Sequence, residues 1–455
     1  MVPTKDRSDQ VRRLLRELVV QEELFSEGIP IYIIDASTPN SAHEICKEFR
    51  GRLPLFYFGS EERNKLIKSI SKDLDLAEVS VADIFSRGYG GNRNAALSQA
   101  LEDTVISCDD DILPYSFGLV NPPQTSPESA EAIDQGLTKA NEDRDVTAVA
   151  YFLTALLGGS NGNNNPLIGL KYEVHKNAGK PNHYNLFSDL TKDLGRSVKE
   201  LSYPIGSRLD FRKIGNGEER ILLEPARVDG ITSSVILSFP LISGTDDLIE
   251  PAQGKTSGVV GYSGLRPSVL INHPVSYCCY GTLNKVLGKI PFVPTALRCE
   301  DTLHWTMNQE VGNGVSLMIG NDILHDPPER LGSNSQKMSE NECCCVILQT
   351  MVIKTLREVQ GDNYDVSPRV MGLGKLLPAV ADRKNEVRDL IGNALLMLAK
   401  NRYIGANLPS PSQIPSIELK IKTEVEYSSF VFKNWSRIRE YILDNPSVGN
   451  LSIPI

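Results

Sequence analysis

Asp109-Asp110-Asp111 closes an apolar, strand-like run, Thr104-Val105-Ile106-Ser107-Cys108, and a loop opens behind it at Ile112-Leu113-Pro114. Three adjacent carboxylates repel one another and ask for a cation. Hard divalent ions such as Mg2+ or Mn2+ take oxygen ligands, and Mg2+ is often shared between one or two carboxylates and substrate phosphates. A strand end with this cluster is a candidate metal–diphosphate site. A solvated acidic turn is the plainer reading of an isolated Asp-Asp-Asp.

The preceding residues narrow the choice. Arg87-Gly88-Tyr89-Gly90-Gly91-Asn92-Arg93-Asn94 reads as a glycine-rich loop, and Ala95-Ala96-Leu97-Ser98-Gln99-Ala100-Leu101 favours helix. A loop feeding a helix N-terminus offers N–H groups and a positive dipole end to an anion. The Lys-Ser/Thr of a P-loop and the dinucleotide spacing are both missing.

The chain start adds Val2-Pro3-Thr4-Lys5-Asp6-Arg7, an amphipathic stretch from Val11 to Val19, and a strand-like Ile31-Tyr32-Ile33-Ile34 ending in Asp35. Taken in order over residues 1–115, these pieces resemble the nucleotide-sugar half of the family 2 glycosyltransferases. That resemblance implies an α/β, GT-A (Rossmann-like nucleotide-diphospho-sugar transferase) core. It implies donor contacts from Pro3, Thr4, Asp6, Arg7, Arg93, Asn94, Asp109 and Asp110, with Asp35 at the nucleobase. The family's first strand is longer than the Met1-Val2 found here, so the strand is expected to be a stub or to begin upstream.

A second acidic pair, Glu300-Asp301, follows the strand-like run Ile290-Pro291-Phe292-Val293-Pro294 and precedes a helix-like Leu303 to Met307. A Glu-Asp pair at a helix start also simply complements the dipole. By resemblance to inverting family members, Asp301 is the general base and Glu300 orients the acceptor. Arg93 and Arg298 are candidates to contact phosphate or to position Asp109-Asp110-Asp111, with an ordinary salt bridge as the equal alternative for each. Galactofuranosyltransferase-like members place a metal-ligating histidine at a similar distance after the base, which points to His325. The implied metal set is Asp109, Asp111 and His325, holding Mn2+ or Mg2+. His304 is the rival ligand. A histidine satisfied by a backbone carbonyl is the commoner alternative for either one.

At 455 residues, with 40% hydrophobic and 23% charged residues, the chain suits two or three globular domains. A net charge of −9 argues against a nucleic-acid partner. The 8 cysteines, Cys46, Cys108, Cys278, Cys279, Cys299 and Cys343-Cys344-Cys345, form no C-x-x-C pair, and they read as reduced thiols. The longest apolar run, Val146 to Leu157, is shorter than the ~20 residues of a membrane span and reads as a buried helix. The Gln-x-x-Arg-Trp signature of the processive, membrane-embedded relatives is also absent. A cytoplasmic protein, or one peripheral at the membrane, is expected.

The expected organisation is a donor half over 1–115, an acceptor half over 116–335 with a β-rich insertion at about 120–290, and a mainly helical domain over 336–455. Gly158 to Pro166 reads as a lid or, more plainly, a surface connector. Val235 to Phe239 and Val269 to Ile271 read as strands, Glu61 to Leu74 as a polar helix, and Leu53 to Phe58 as a strand. In the last third, Cys343 to Val359, Asn385 to Tyr403 and Phe430 to Leu443 read as helices, while Ile417 to Lys422 alternates like a strand. The C-terminal helices offer a route to a homo-oligomer.

The resemblance implies an inverting, metal-dependent transfer from a nucleoside-diphosphate sugar, with a UDP-sugar favoured. The acceptor would be a glycan, a lipid-linked group or a small molecule. A retaining glycosyltransferase, a sugar nucleotidyltransferase and a silent glycan-binding module are the alternatives. The nucleotidyltransferase ranks low, because Pro3 to Arg7 has no glycine.

Overall fold

The computed structural model describes residues 1–38, 41–113, 115–119, 145–155, 178–183, 185–197, 200, 205–206, 210–214, 218–223, 235–236, 268–271, 279–297, 300–311, 315–325, 335–359, 365–401 and 410–455. Arg298 and the glycine-rich stretch 158–166 lie outside them.

The first half is α/β. Its elements are β1 (Val2–Thr4), α1 (Ser8–Phe25), β2 (Ile31–Asp35), α2 (His43–Lys47), β3 (Leu55–Phe58), α3 (Ser60–Asp73), α4 (Glu78–Ser86), α5 (Gly88–Gln99) and β4 (Thr104–Cys108). Strands β1, β2 and β3 pair in parallel, with Val2 opposite Ile33 and Ile31 opposite Leu55. β1 is only three residues long. It is nonetheless flanked on both sides, because the Met1 nitrogen donates to Ile106 O at 2.6 Å and Met1 O accepts from Cys108 N at 2.9 Å. That staggered pattern is the parallel one. The strand order is therefore β3-β2-β1-β4.

Side chains alternate across this sheet. Ile33 packs with α1 on one face, and Ile34 packs with Phe58, Leu66, Ile70 and Phe85 on the other. In α1, the buried Val11, Leu14, Leu15, Leu18 and Val19 form one apolar stripe. Each such burial is worth about 1.5–3 kcal/mol against exposure. Layers on both sides of a parallel sheet follow from this patterning.

The sheet continues through β-rich middle residues. These include β5 (Ile112–Leu113), β6 (Tyr115–Leu119), β7 (Val146–Ala155), β8 (Ala178–His183), α6 (Leu186–Thr191), β9 (Ile205–Gly206), β10 (Asp210–Ile214), β11 (Glu218–Leu223), β12 (Val235–Ile236), β13 (Ser268–Ile271), β14 (Cys279–Leu283), α7 (Asn284–Leu287), α8 (Glu300–Val311) and β15 (Val315–His325). β4 pairs with β14, and the order runs on as β14-β7-β15-β13-β9, with β5 against the end of β15. Val146 to Ala155 is thus a central strand rather than the expected buried helix. An apolar run buried on both faces carries no period that separates helix from strand. Its partners on β14 and β15 decided the matter. Ile290 to Pro294 is irregular, not a strand.

The last third is mainly helical: α9 (Ser335–Glu358), α10 (Val366–Ala381), α11 (Lys384–Asn401), α12 (Ile414–Asp444) and α13 (Pro446–Gly449), then β16 (Ile453–Pro454). Ile417 to Lys422 belongs to α12, not to a strand. Its buried residues Ile417, Ile421 and Val425 recur every four positions, which is a helix stripe. No helix among the described residues is long and apolar enough to cross a membrane.

The expected boundary at residue 336 does not separate the packing. Trp435 donates from Nε1 to Gly288 O at 2.9 Å, and Arg439 donates to the Leu97 and Ala100 carbonyls at the end of α5. Gln99 Oε1 accepts from Leu451 N, Ser452 N and Ser452 Oγ. β16 then joins β3 antiparallel. The C-terminal residues therefore complete the α/β half.

Candidate active site

Thr4, Asp35 and Asp109 follow or close the C-terminal ends of β1, β2 and β4. Ligands of open α/β sheets bind outside those ends. Thr4 Oγ1 donates to Asp110 Oδ2 at 2.5 Å. Arg7 Nη1 sits 2.9 Å from both Asp110 Oδ1 and Asp111 Oδ2. Arg93 Nη2 reaches Asp109 Oδ1 at 2.8 Å. The three carboxylates thus have arginine partners, and their repulsion alone does not demand a metal, contrary to the sequence argument. Burial raises the Asp110 pKa, with Arg7 and Thr4 acting against that rise. Burial would lower the pKa of Arg7, but Asp110 and Asp111 outweigh it and hold it above its usual value.

The glycine-rich stretch is not a loop. α5 starts at Gly88, and Gly90 through Gln99 are buried. The glycines serve close packing. A Cβ on Gly90 would lie 1.9 Å from Val293 O, and one on Gly88 equally close to Thr295 O. Gly88 also has φ +60, which favours glycine. The segment leading to Glu300 therefore lies directly on α5. Asn94, expected at the nucleotide, is fully buried. It donates to Ile84 O and Phe292 O and accepts from Phe292 N, which pins that same segment.

Arg93 joins the two acidic groups. Besides Asp109, it approaches Glu300 Oε1 through Nε at 3.6 Å and donates to Ser107 Oγ at 3.3 Å. Glu300 and Asp301 open α8, and both are buried. Burial and then the neighbouring Asp301 push the Glu300 carboxyl up to about 7, against the pull of Arg93. His304 is a satisfied core histidine. Its Nε2 lies 3.0 Å from Ile290 O, and its ring stacks on Phe292 at 3.9 Å.

His325 ends β15, and its backbone pairs with Ile112, the residue after Asp111. The His325 side chain lies outside the described atoms. Among the described residues, no three His, Cys, Asp or Glu side chains form a metal-holding group.

Asp35 sits where expected in the chain but has no exposed surface. Its carboxylate accepts from Ser37 N at 2.8 Å, Ala42 N at 3.0 Å and Tyr57 Oη at 2.9 Å. It anchors the turn after β2 instead of facing a base directly. Asp6 has φ 55, and its N–H donates to Ser37 Oγ at 2.7 Å, so the two strand-end turns are tied together.

Two contributors escaped the sequence reading. Asn92 bridges Thr4 O and Ile34 O, and Arg63 donates to Asn92 Oδ1 and Asp35 O. Arg63 is buried, and burial lowers its pKa to about 10. It lies in the stretch read from the sequence as a polar helix. Only Asn92, inside the Gly-rich motif, carried a signal.

No protein-family model and no curated protein matches the chain. Among solved structures, residues 1–349 of TarS from S. aureus are 13% identical with a TM-score of 0.33, covering 96% of this chain and 90% of that one. The mannosyltransferase PcManGT from Pyrobaculum calidifontis, in complex with GDP-Man and Mn2+, is 11% identical with a TM-score of 0.33, covering 96% and 86%. Likeness at this level transfers no residue role to this chain.

Proposed function

We propose that the chain is a GT-A-type glycosyltransferase that moves a sugar from a nucleoside-diphosphate sugar to an acceptor hydroxyl with inversion. The observation that carries this reading is the Arg93 bridge between Asp109 and Glu300. It brings a strand-end carboxylate cluster and a second, helix-borne carboxylate pair to one guanidinium. Transfer from a diphosphate donor needs both: a place for the departing phosphates and a base for the incoming hydroxyl.

In this reading Asp301 takes the acceptor proton as its oxygen attacks the anomeric carbon, and the sugar–phosphate bond breaks on the opposite side. Glu300 orients the acceptor. Pro3, Thr4, Asp6 and Arg7 border the nucleotide, and Asp35 shapes the base-facing turn from beneath. Arg93 holds Asp109 in place. The donor set suits a hard divalent cation, since Asp109 keeps about a quarter of its side chain open and the backbone register brings His325 beside the cluster. Asp109, Asp111 and His325 would hold Mn2+ or Mg2+. Such a cation would supply charge compensation for the diphosphate.

Thermal unfolding of the full chain with UDP, GDP, dTDP and CDP, each with and without Mn2+, tests the reading. A binder of the native state raises stability as RT ln(1 + [L]/Kd). Mn2+-dependent stabilisation by one nucleoside diphosphate is expected, and a UDP response is favoured. No response to any of the four would sink the donor site. Anomeric NMR of the product separates inversion from retention.

A further inference from the structure

The Arg7 guanidinium stands where a cation shared by two carboxylates would stand. A single nitrogen, Nη1, lies 2.9 Å from an oxygen of Asp110 and 2.9 Å from an oxygen of Asp111. Both carboxylates are nearly buried, while about a quarter of the Arg7 side chain is exposed. The position is built by the backbone. The left-handed Asp6, at φ 55, directly precedes Arg7 in the turn between β1 and α1, and Thr4 fixes Asp110 from the end of β1.

We propose that Arg7 and a divalent cation compete for Asp111, and that the donor's diphosphate relieves the competition by drawing the guanidinium onto phosphate. This rests on the metal-dependent donor site proposed above. Two cations repel at one carboxylate, so a divalent ion binds Asp111 tightly only when Arg7 turns away. A guanidinium fork matches phosphate oxygens well, so a diphosphate is a suitable new partner. Cation and donor then bind with positive coupling, each strengthening the other by the same factor.

Titration of the full chain with Mn2+, followed by electron spin resonance of the free ion, tests the competition. Without nucleotide, Arg7→Gln should bind Mn2+ about tenfold more tightly than the parent, and Arg7→Lys should fall between. Lys5→Gln removes the same charge from an exposed neighbour and should stay within about twofold. In the presence of Mn2+, Arg7→Gln should bind UDP or GDP about tenfold more weakly. Opposite signs for the two ligands are the signature.

The competition is overturned if the parent binds Mn2+ and Arg7→Gln binds it no more tightly. It is also overturned if Lys5→Gln tightens Mn2+ as much as Arg7→Gln, which would be a general charge effect. If neither parent nor variants bind Mn2+, the metal site itself falls, and the competition with it. Should Arg7→Gln fail to fold by circular dichroism, Arg7→Met, which removes the same charge, carries the same comparison.

Discussion

Arg93 Nη2 donates to Asp109 Oδ1 at 2.8 Å from the middle of a buried helix. The same side chain reaches Glu300, which lies far away in sequence. Removing one member of a buried ion pair leaves the others without counter-charge, typically at 3–5 kcal/mol. Arg93→Ala should lose about that much stability in urea unfolding. Arg93→Lys keeps the charge but loses the fork, and should retain most of the stability with much less turnover. A fully active Arg93→Lys would show that the bridge is only structural.

Asp301 and His325 should separate by kinetics. A general base acts mainly in the transition state, so Asp301→Asn should lower kcat by about 10²–10⁴-fold and leave donor binding nearly intact. A metal ligand is engaged in the ground state, so His325→Ala should weaken Mn2+-dependent donor binding as well, and extra Mn2+ should partly restore it. Calorimetry at several Mn2+ concentrations reads the difference. Parent-like donor and metal binding in His325→Ala would remove it from the metal set.

Glu300 makes stability depend on pH. Its carboxyl is raised from 4.5 to about 7, chiefly by burial. The folded protein therefore binds this proton more tightly than the unfolded chain does. The contribution is full below about pH 4.5 and is lost as pH rises toward 7. Glu300→Gln should flatten that slope and gain about 1–3 kcal/mol over the parent at pH 8 relative to pH 5. Denaturant melts of both proteins at the two pH values would show it, and parallel pH profiles would refute it.

Asp35 should matter first to the fold. Asp35→Ala strips three buried donors of their acceptor. A loss of about 1–3 kcal/mol per unsatisfied group is typical. Nucleotide affinity should fall only as far as the backbone at Ser37 and Ala42 is disturbed. Unchanged stability with abolished nucleotide binding would instead place Asp35 against the base.

How much was legible in the sequence depends on the range of the interactions. The parallel strands β2 and β3, the helices α1, α3 and α11, the later parts of α9 and α12, and both acidic clusters follow from local patterning. So do the placements of Arg93 and Asn94 ahead of the Asp109 strand. Other features were set by distant partners. Val146 to Ala155 became a strand because β14 and β15 flank it. The glycines of α5 looked like an anion loop until the backbone of residues 293–295 was found against them.

Pattern alone established an α/β chain with two separated carboxylate motifs and a helical last third. It could not establish what neutralises those motifs, because charge pairing depends on distance in space. Only the tertiary structure set Arg7 on Asp110 and Asp111, set Arg93 between Asp109 and Glu300, and sealed the Asp35 carboxylate under Ser37, Ala42 and Tyr57. The Arg7, Glu300 and Tyr57 contacts each close a long loop of chain whose ends carry no mutual signal, and packing over the shared sheet holds them shut.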